Sequence, residues 1–194
     1  MSGLEVQQLE VGLELADGAT IDQAALIPIF HRWIQEDRLG AATVLIDVAD
    51  YRHVPGGPGV MLVADGAQWR MDEGGGATGL VYARKRDPLG EPAAKLEEAF
   101  GNLLRAAVAL EAEPALRGTV RFAGDRARVT VMSRLAASGD RGSYDAFAPA
   151  VRAFAARLWD GEVEVGDATE SRGPLAVDIR AAPATIAELL ARLT

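Results

Sequence analysis

The sequence predicts an α+β protein in which antiparallel sheet carries helices packed mainly on one face. Three observations predict it. Segments with strand patterning outnumber those with helical patterning, turn signals of hairpin type join neighbouring strands, and each helical stretch has a single apolar side. The expected order is β-α-β-β-β-β-α over residues 1–113, including a linking helix, and β-β-α-β-β-α over residues 114–194, with the two halves closely packed.

Leu9, Val11, Leu13 and Leu15 alternate with other residues, the period-2 pattern of a strand with one buried face, and Asp17-Gly18 ends it. Thr20 with Gln23 has the form of a capping box, so a helix is expected from there, kinked at Pro28, with Ile29, Phe30, Trp33 and Ile34 on one side. The run Thr43-Val44-Leu45-Ile46-Asp47-Val48 is almost wholly apolar and β-branched, which suits a central strand covered on both faces. Val60–Ala64 and Ala67–Met71 form a hairpin across Asp65-Gly66, Gly74-Gly75-Gly76 makes a turn, and Gly79–Arg86 is the next strand. Leu96, Phe100, Leu103, Leu104, Ala107 and Leu110 recur at helical spacing between Glu91 and Glu113, and Pro114 stops that helix.

The second half reads as a hairpin, Thr119–Ala123 and Ala127–Met132 across Gly124-Asp125, then a helix capped by Ser143. Phe147, Val151, Phe154, Leu158 and Trp159 make its apolar side. A second hairpin, Glu162–Val165 and Pro174–Arg180, leads to a closing helix over Pro183–Leu193.

Composition excludes whole chemistries. With 194 residues and 49% hydrophobic content the chain can bury a full core, and with no Cys it has no disulfide, thiol nucleophile, thiolate zinc site or iron–sulfur ligand. No stretch reaches the roughly 18 apolar residues of a membrane helix and the first residues lack signal-peptide form, so a cytoplasmic protein without membrane partners is expected. Its 18 Arg against 2 Lys, with abundant Ala and Gly, read as the codon bias of a GC-rich bacterial genome. A formal charge of -8 disfavours nucleic acid as a partner, because such affinity comes mainly from positive surface displacing counterions.

Polar groups concentrate in Asp47 to Gly59. Asp47, Asp50, Tyr51, Arg52 and His53 stand beside a Pro-Gly turn, and His31 on the preceding helix supplies a second imidazole. As candidate catalytic residues they offer carboxylates, a base and a cation for acid/base or metal-assisted chemistry. Against this, turn hydrogen bonds and glycine-specific backbone angles account for the same residues, and the His spacing matches no metal motif. The loop glycines precede a strand and are interrupted by prolines, with no following GKS or GKT, which argues against a phosphate-binding loop. No metal or cofactor is expected.

Arg121, Arg126 and Arg128 share one face of the first hairpin of the second half. Residues 117–141 hold six Arg against Asp125 and Asp140, an anion- or nucleic-acid-binding alternative. Glu162, Glu164 and Asp178 on the neighbouring hairpin would turn that face into cross-strand ion pairs. Leu62, Trp69, Met71 and Tyr82 line one sheet face as core or as a pocket wall, and Arg84-Lys85-Arg86 marks a charged strand end.

The stretch Ile27-Pro28-Ile29-Phe30-His31-Arg32-Trp33-Ile34-Gln35 with Leu45-Ile46-Asp47-Val48-Ala49-Asp50-Tyr51, His53-Val54-Pro55 and Gly57-Pro58-Gly59-Val60 resembles a group of uncharacterised bacterial proteins. The resemblance is clearest over residues 26–86 and brings no known activity. The element order of the first half is also similar to the TATA-binding-protein-like fold, and shared topology does not imply DNA binding. The expected function is that of a non-catalytic accessory or regulatory protein that binds a protein partner or small molecule and self-associates.

Overall fold

Along β1 (Leu9–Glu14), Leu9, Val11 and Leu13 are buried while Glu10, Gly12 and Glu14 are only partly covered, so the period-2 alternation becomes two different sheet faces. In the computed structural model, which describes residues 8–40, 43–72, 79–85, 91–132, 139–170 and 173–193, this first strand lies inside the sheet. It pairs antiparallel with β5 (Gly79–Arg84) on one side and β6 (Arg126–Val131) on the other.

The remaining strands are β2 (Leu45–Asp50), β3 (Val60–Ala64), β4 (Ala67–Asp72), β7 (Val163–Asp167) and β8 (Leu175–Ala181). Together they form one eight-stranded antiparallel sheet in the order β2-β3-β4-β5-β1-β6-β8-β7. A single sheet therefore runs through both halves of the chain. The α+β class and the order of strands and helices are those the sequence predicts, with one strand, β6, in place of the hairpin expected after the linking helix.

One cross-strand row, Leu62–Trp69–Tyr82–Val11–Val129–Val177, spans six strands with every member at most 1% exposed. Each such side chain contributes about 1.5–3 kcal/mol by leaving water. Helices supply the cover. α1 (Gln23–Glu36) packs on β2 and β3, α2 (Pro92–Glu111) on β1 and β5, α3 (Arg141–Trp159) on β7 and β8, and α4 (Ile186–Ala191) against α2. Leu62, Trp69, Met71 and Tyr82 are thus core, and Trp69 and Tyr82 meet at a ring separation of 5.1 Å. Tyr82 donates its hydroxyl to Glu98 at 3.0 Å, and burial first, then the Glu98 charge, pushes its pKa up to about 12. The end of α2 is tied to α1 by Glu113, a buried carboxylate that accepts from Trp33 Nε1 at 2.6 Å and from the Arg32 guanidinium.

Several local expectations change in three dimensions. The run from Thr43 to Val48 is not a central strand but the sheet edge, with Val44 63% and Ile46 57% exposed. Only Leu45 and Val48 of β2 pack on the core, because a bulge between Leu45 and Asp47 breaks the alternation. The N-cap of α1 is Asp22, accepting from Ala24 N–H at 2.9 Å, while Gln23 turns inward. Pro28 sits inside this helix on its exposed side, so the missing N–H and the ring face water and α1 continues to Glu36. Asp140 caps α3 by accepting from Ser143 N–H at 2.8 Å, which makes Ser143 the donor and not the cap.

Residues 119–123 and β6 do not reverse on each other. Ala123 N–H donates to Glu14 C=O at 2.8 Å and Phe122 bridges Leu15, so this segment continues the line of β6 along the same edge of β1. Gly124 is needed for a close approach: a Cβ there would lie 1.8 Å from the Ala184 carbonyl oxygen, and the Trp159 indole donates to Gly124 C=O at 2.7 Å. The expected turn at Gly74–Gly76 and residue Arg86 lie outside the described residues. No helix among the described residues is long and apolar enough to cross a membrane.

Candidate functional site

The polar loop after β2 is held together by its own groups. Both Asp50 oxygens accept from the Arg52 guanidinium, at 2.9 and 2.7 Å, and the side-chain and backbone hydrogen bonds from Arg52 lower the Asp50 pKa to about 2. Tyr51 N–H donates to Gly59 C=O, Val54 N–H to Tyr51 C=O and Gly57 N–H to Val54 C=O, each at 2.9 Å. Gly59 sits at φ +67°, where an added Cβ would meet Gln23 Oε1 at 2.1 Å and Met71 C=O at 2.8 Å. That close approach lets Gln23 Oε1 accept from Val60 N–H at 2.9 Å and clamp the loop to α1.

The loop and the start of α1 enclose an open groove of about 600 Å³ lined by Tyr51, Arg52, Val54, Asp22 and Asp72, among others. Its charged groups already have partners: Arg52 holds Asp50, Asp22 caps α1, and Asp72 contacts Arg70 at 3.4 Å. Tyr51 and His53 are exposed with rings 6.4 Å apart in a stacked arrangement. Asp47 accepts from the amide of the next residue, Val48, at 2.8 Å, and its pairing with Val63 puts it on the face opposite the helices. His31 is exposed on α1 and does not line the groove. The fold thus brings Asp50 to Arg52 and Tyr51 to His53, while the sheet lies between Asp47 and the helix that carries His31. Among the described residues, no three His, Asp or Glu side chains gather as a metal-ligand set.

The cross-strand reading of the arginine face holds for one pair, Arg128 with Asp178; Arg126 is neutralised instead by carboxylates of β1 and the adjoining turns. Arg128 bonds Asp178 through two nitrogens at 2.6 and 3.0 Å. Arg126 contacts Glu14 at 2.7 Å, Asp17 at 2.9 Å and Asp125 at 3.4 Å. Arg121 is exposed beside the segment that carries Phe122.

The face that carries Arg126 and Arg128 also holds a feature the arginines alone did not indicate. On the face away from the helices the matching cross-strand row is Met61–Arg70–Val81–Gly12–Arg128–Asp178–Gly166. At its centre Gly12, Gly79 and Val81 floor a trough of about 140 Å³. One wall carries Arg126, Arg128, Asp178 and Arg180, and Glu14 and Asp72 also line it. These acidic and basic side chains balance in formal charge.

Gly79 is required by the fold, since a Cβ there would sit 2.4 Å from Leu13 C=O. Gly12 is not. Its φ lies outside the left-handed region, and a Cβ would approach nothing closer than Val81 Cγ2 at 3.4 Å. A glycine inside a strand costs about 0.5–1 kcal/mol relative to alanine. At such positions it often marks the close approach of a ligand or another chain.

No family model, curated protein or solved structure matches the chain.

The trough, unlike the arginines on its wall, escaped sequence reasoning because its residues come from five strands, β1, β4, β5, β6 and β8. One signal was present: Gly12 occupies an outward position of the clearest alternating strand, where a polar side chain like those of Glu10 and Glu14 would serve.

Proposed function

We propose that this chain is a non-catalytic binding protein that receives a protein partner on the open face of its sheet. The observation that carries this reading is the trough at Gly12, set in a face that no helix among the described residues packs against. At the trough itself, size favours a protein side chain over a free metabolite: small-molecule sites typically enclose about 300–1,000 Å³. The trough offers about 140 Å³, room for one side chain. The charged groups of the loop after β2 are engaged with one another or with α1, which supports binding over catalysis. In this reading the protein works in the cytoplasm, and any self-association belongs to the β2 edge, where Val44 and Ile46 are the most exposed large apolar side chains among the described residues.

The test is site-specific photo-crosslinking in cells from position 12, with Ala146 on the exposed side of α3 as the control. A partner captured from position 12 alone, binding the purified protein and lost on Gly12→Arg, is the expected result. Identical captures from both positions, or unchanged binding by Gly12→Arg, would sink the reading.

A further inference from the structure

Within the trough the cations are not equivalent. Arg126 is shared among three carboxylates and Arg128 is matched by Asp178. Arg180, which stands beside Arg126 in the β6–β8 register, is exposed and has no ion pair or hydrogen bond from its guanidinium among the described residues. Its neighbour on the other side is Glu164 of β7, which lies beyond ion-pair distance. The trough therefore combines a floor of glycine backbone and the Val81 side chain, a volume near the ~150 Å³ known to hold one benzene-sized group, and one uncommitted guanidinium on its wall.

We infer that the trough binds a carboxylate carried next to a short branched apolar group, the chemistry presented by the C-terminal residue of a peptide; this rests on the reading that the open face receives a protein partner. The apolar group fills the space that Gly12 leaves over Val81. The carboxylate meets Arg180, whose planar fork suits two parallel hydrogen bonds. Neither Arg126 nor Arg128 competes, because each is already neutralised. Gly12 is a size gate: any side chain there occupies the volume the ligand needs, and the backbone would accept one.

The experiment is amide-resolved NMR titration of the full chain with N-acetylvaline, using N-acetylvalinamide as the uncharged control. N-acetylvaline should shift the amides of Gly12, Val81 and Arg180 and saturate on the order of 1–10 mM, with the amide at least about tenfold weaker. Arg180→Gln should bring N-acetylvaline down to the level of the amide, and Gly12→Val should abolish both while leaving the thermal midpoint nearly unchanged. The inference is overturned if N-acetylvaline causes no saturating shifts, if acid and amide bind equally, or if Gly12→Val still binds. A partner that crosslinks from position 12 in the absence of any carboxylate preference would overturn this inference alone, leaving the open-face reading intact.

Discussion

At one end of the sheet, β7 exposes Glu164 and Asp167 along five residues; at the other, β2 leaves Val44 and Ile46 more than half exposed. Edge strands present unpaired amides that template pairing with other chains. β7 answers with charge. β2 answers with geometry: a bulge between Leu45 and Asp47 interrupts its line. Because Tyr51 N–H faces Gly59, alternation turns the Val48 amide outward, and the Asp47 carboxylate occupies it at 2.8 Å. The difference teaches that an aspartate in an apolar strand can occupy an edge amide with its own carboxylate, as Asp47 does for Val48.

The largest effect should come from breaking the clamp behind β2. Gly59→Ala forces a collision with Gln23 and Met71 at a positive φ, so it should cost about 3 kcal/mol or more in denaturant unfolding. A loss below about 1 kcal/mol would mean that the β2 end relaxes freely.

Removing the guards comes next. Asp47→Ala frees the outward Val48 amide, and Glu164→Val strips the exposed acid from β7; each should strengthen self-association by about tenfold or more in sedimentation velocity. Ile46→Lys added to Asp47→Ala should reverse the first. If Glu164→Val associates and Asp47→Ala does not, the bulge alone guards β2.

The two edges should also differ in pH and salt response. Asp50, the last residue of β2, has its folded pKa lowered to about 2 by Arg52 from an ordinary 3.8. Its contribution to stability is therefore complete above about pH 4 and lost as pH falls to about 2. The difference in thermal midpoint between wild type and Asp50→Asn should fade across that window and shrink in about 1 M salt. Asp167, at the end of β7, is also lowered, first by the Thr169 side chain and then by its backbone N–H, both uncharged donors. The equivalent Asp167→Asn difference should fade with acid in the same direction yet resist salt. Equal salt sensitivity at the two sites would contradict this assignment of causes.

The smallest effect belongs to Gly166 on β7. A Cβ there meets nothing within 4 Å, and the backbone is not left-handed, so Gly166→Ala should change stability by only about 0.5 kcal/mol, in the stabilising direction.

Local chemistry was legible in the sequence wherever neighbours along the chain decide the outcome. The alternation of Leu9, Val11 and Leu13, the Asp65-Gly66 hairpin and the apolar sides of the two long helices follow from periodicity and turn preference, which act over a few residues. The Arg128–Asp178 pair was legible as well, since outward positions on neighbouring strands must face one another.

What only the tertiary structure decided is adjacency. Thr43 to Val48 reads as an interior strand because burial is inferred from composition, yet position in a sheet depends on which strands pair, and among the described residues none pairs beyond β2. Gly124 reads as a turn, yet it is Ala184, sixty residues away, that forbids a side chain there. The open face, with Gly12 at its centre and Arg180 on its wall, arises from the antiparallel register of β5, β1, β6 and β8. The sequence by itself determined an α+β layer pair free of cysteine chemistry; the long-range pairing of strands determined which of its residues lie on the open face.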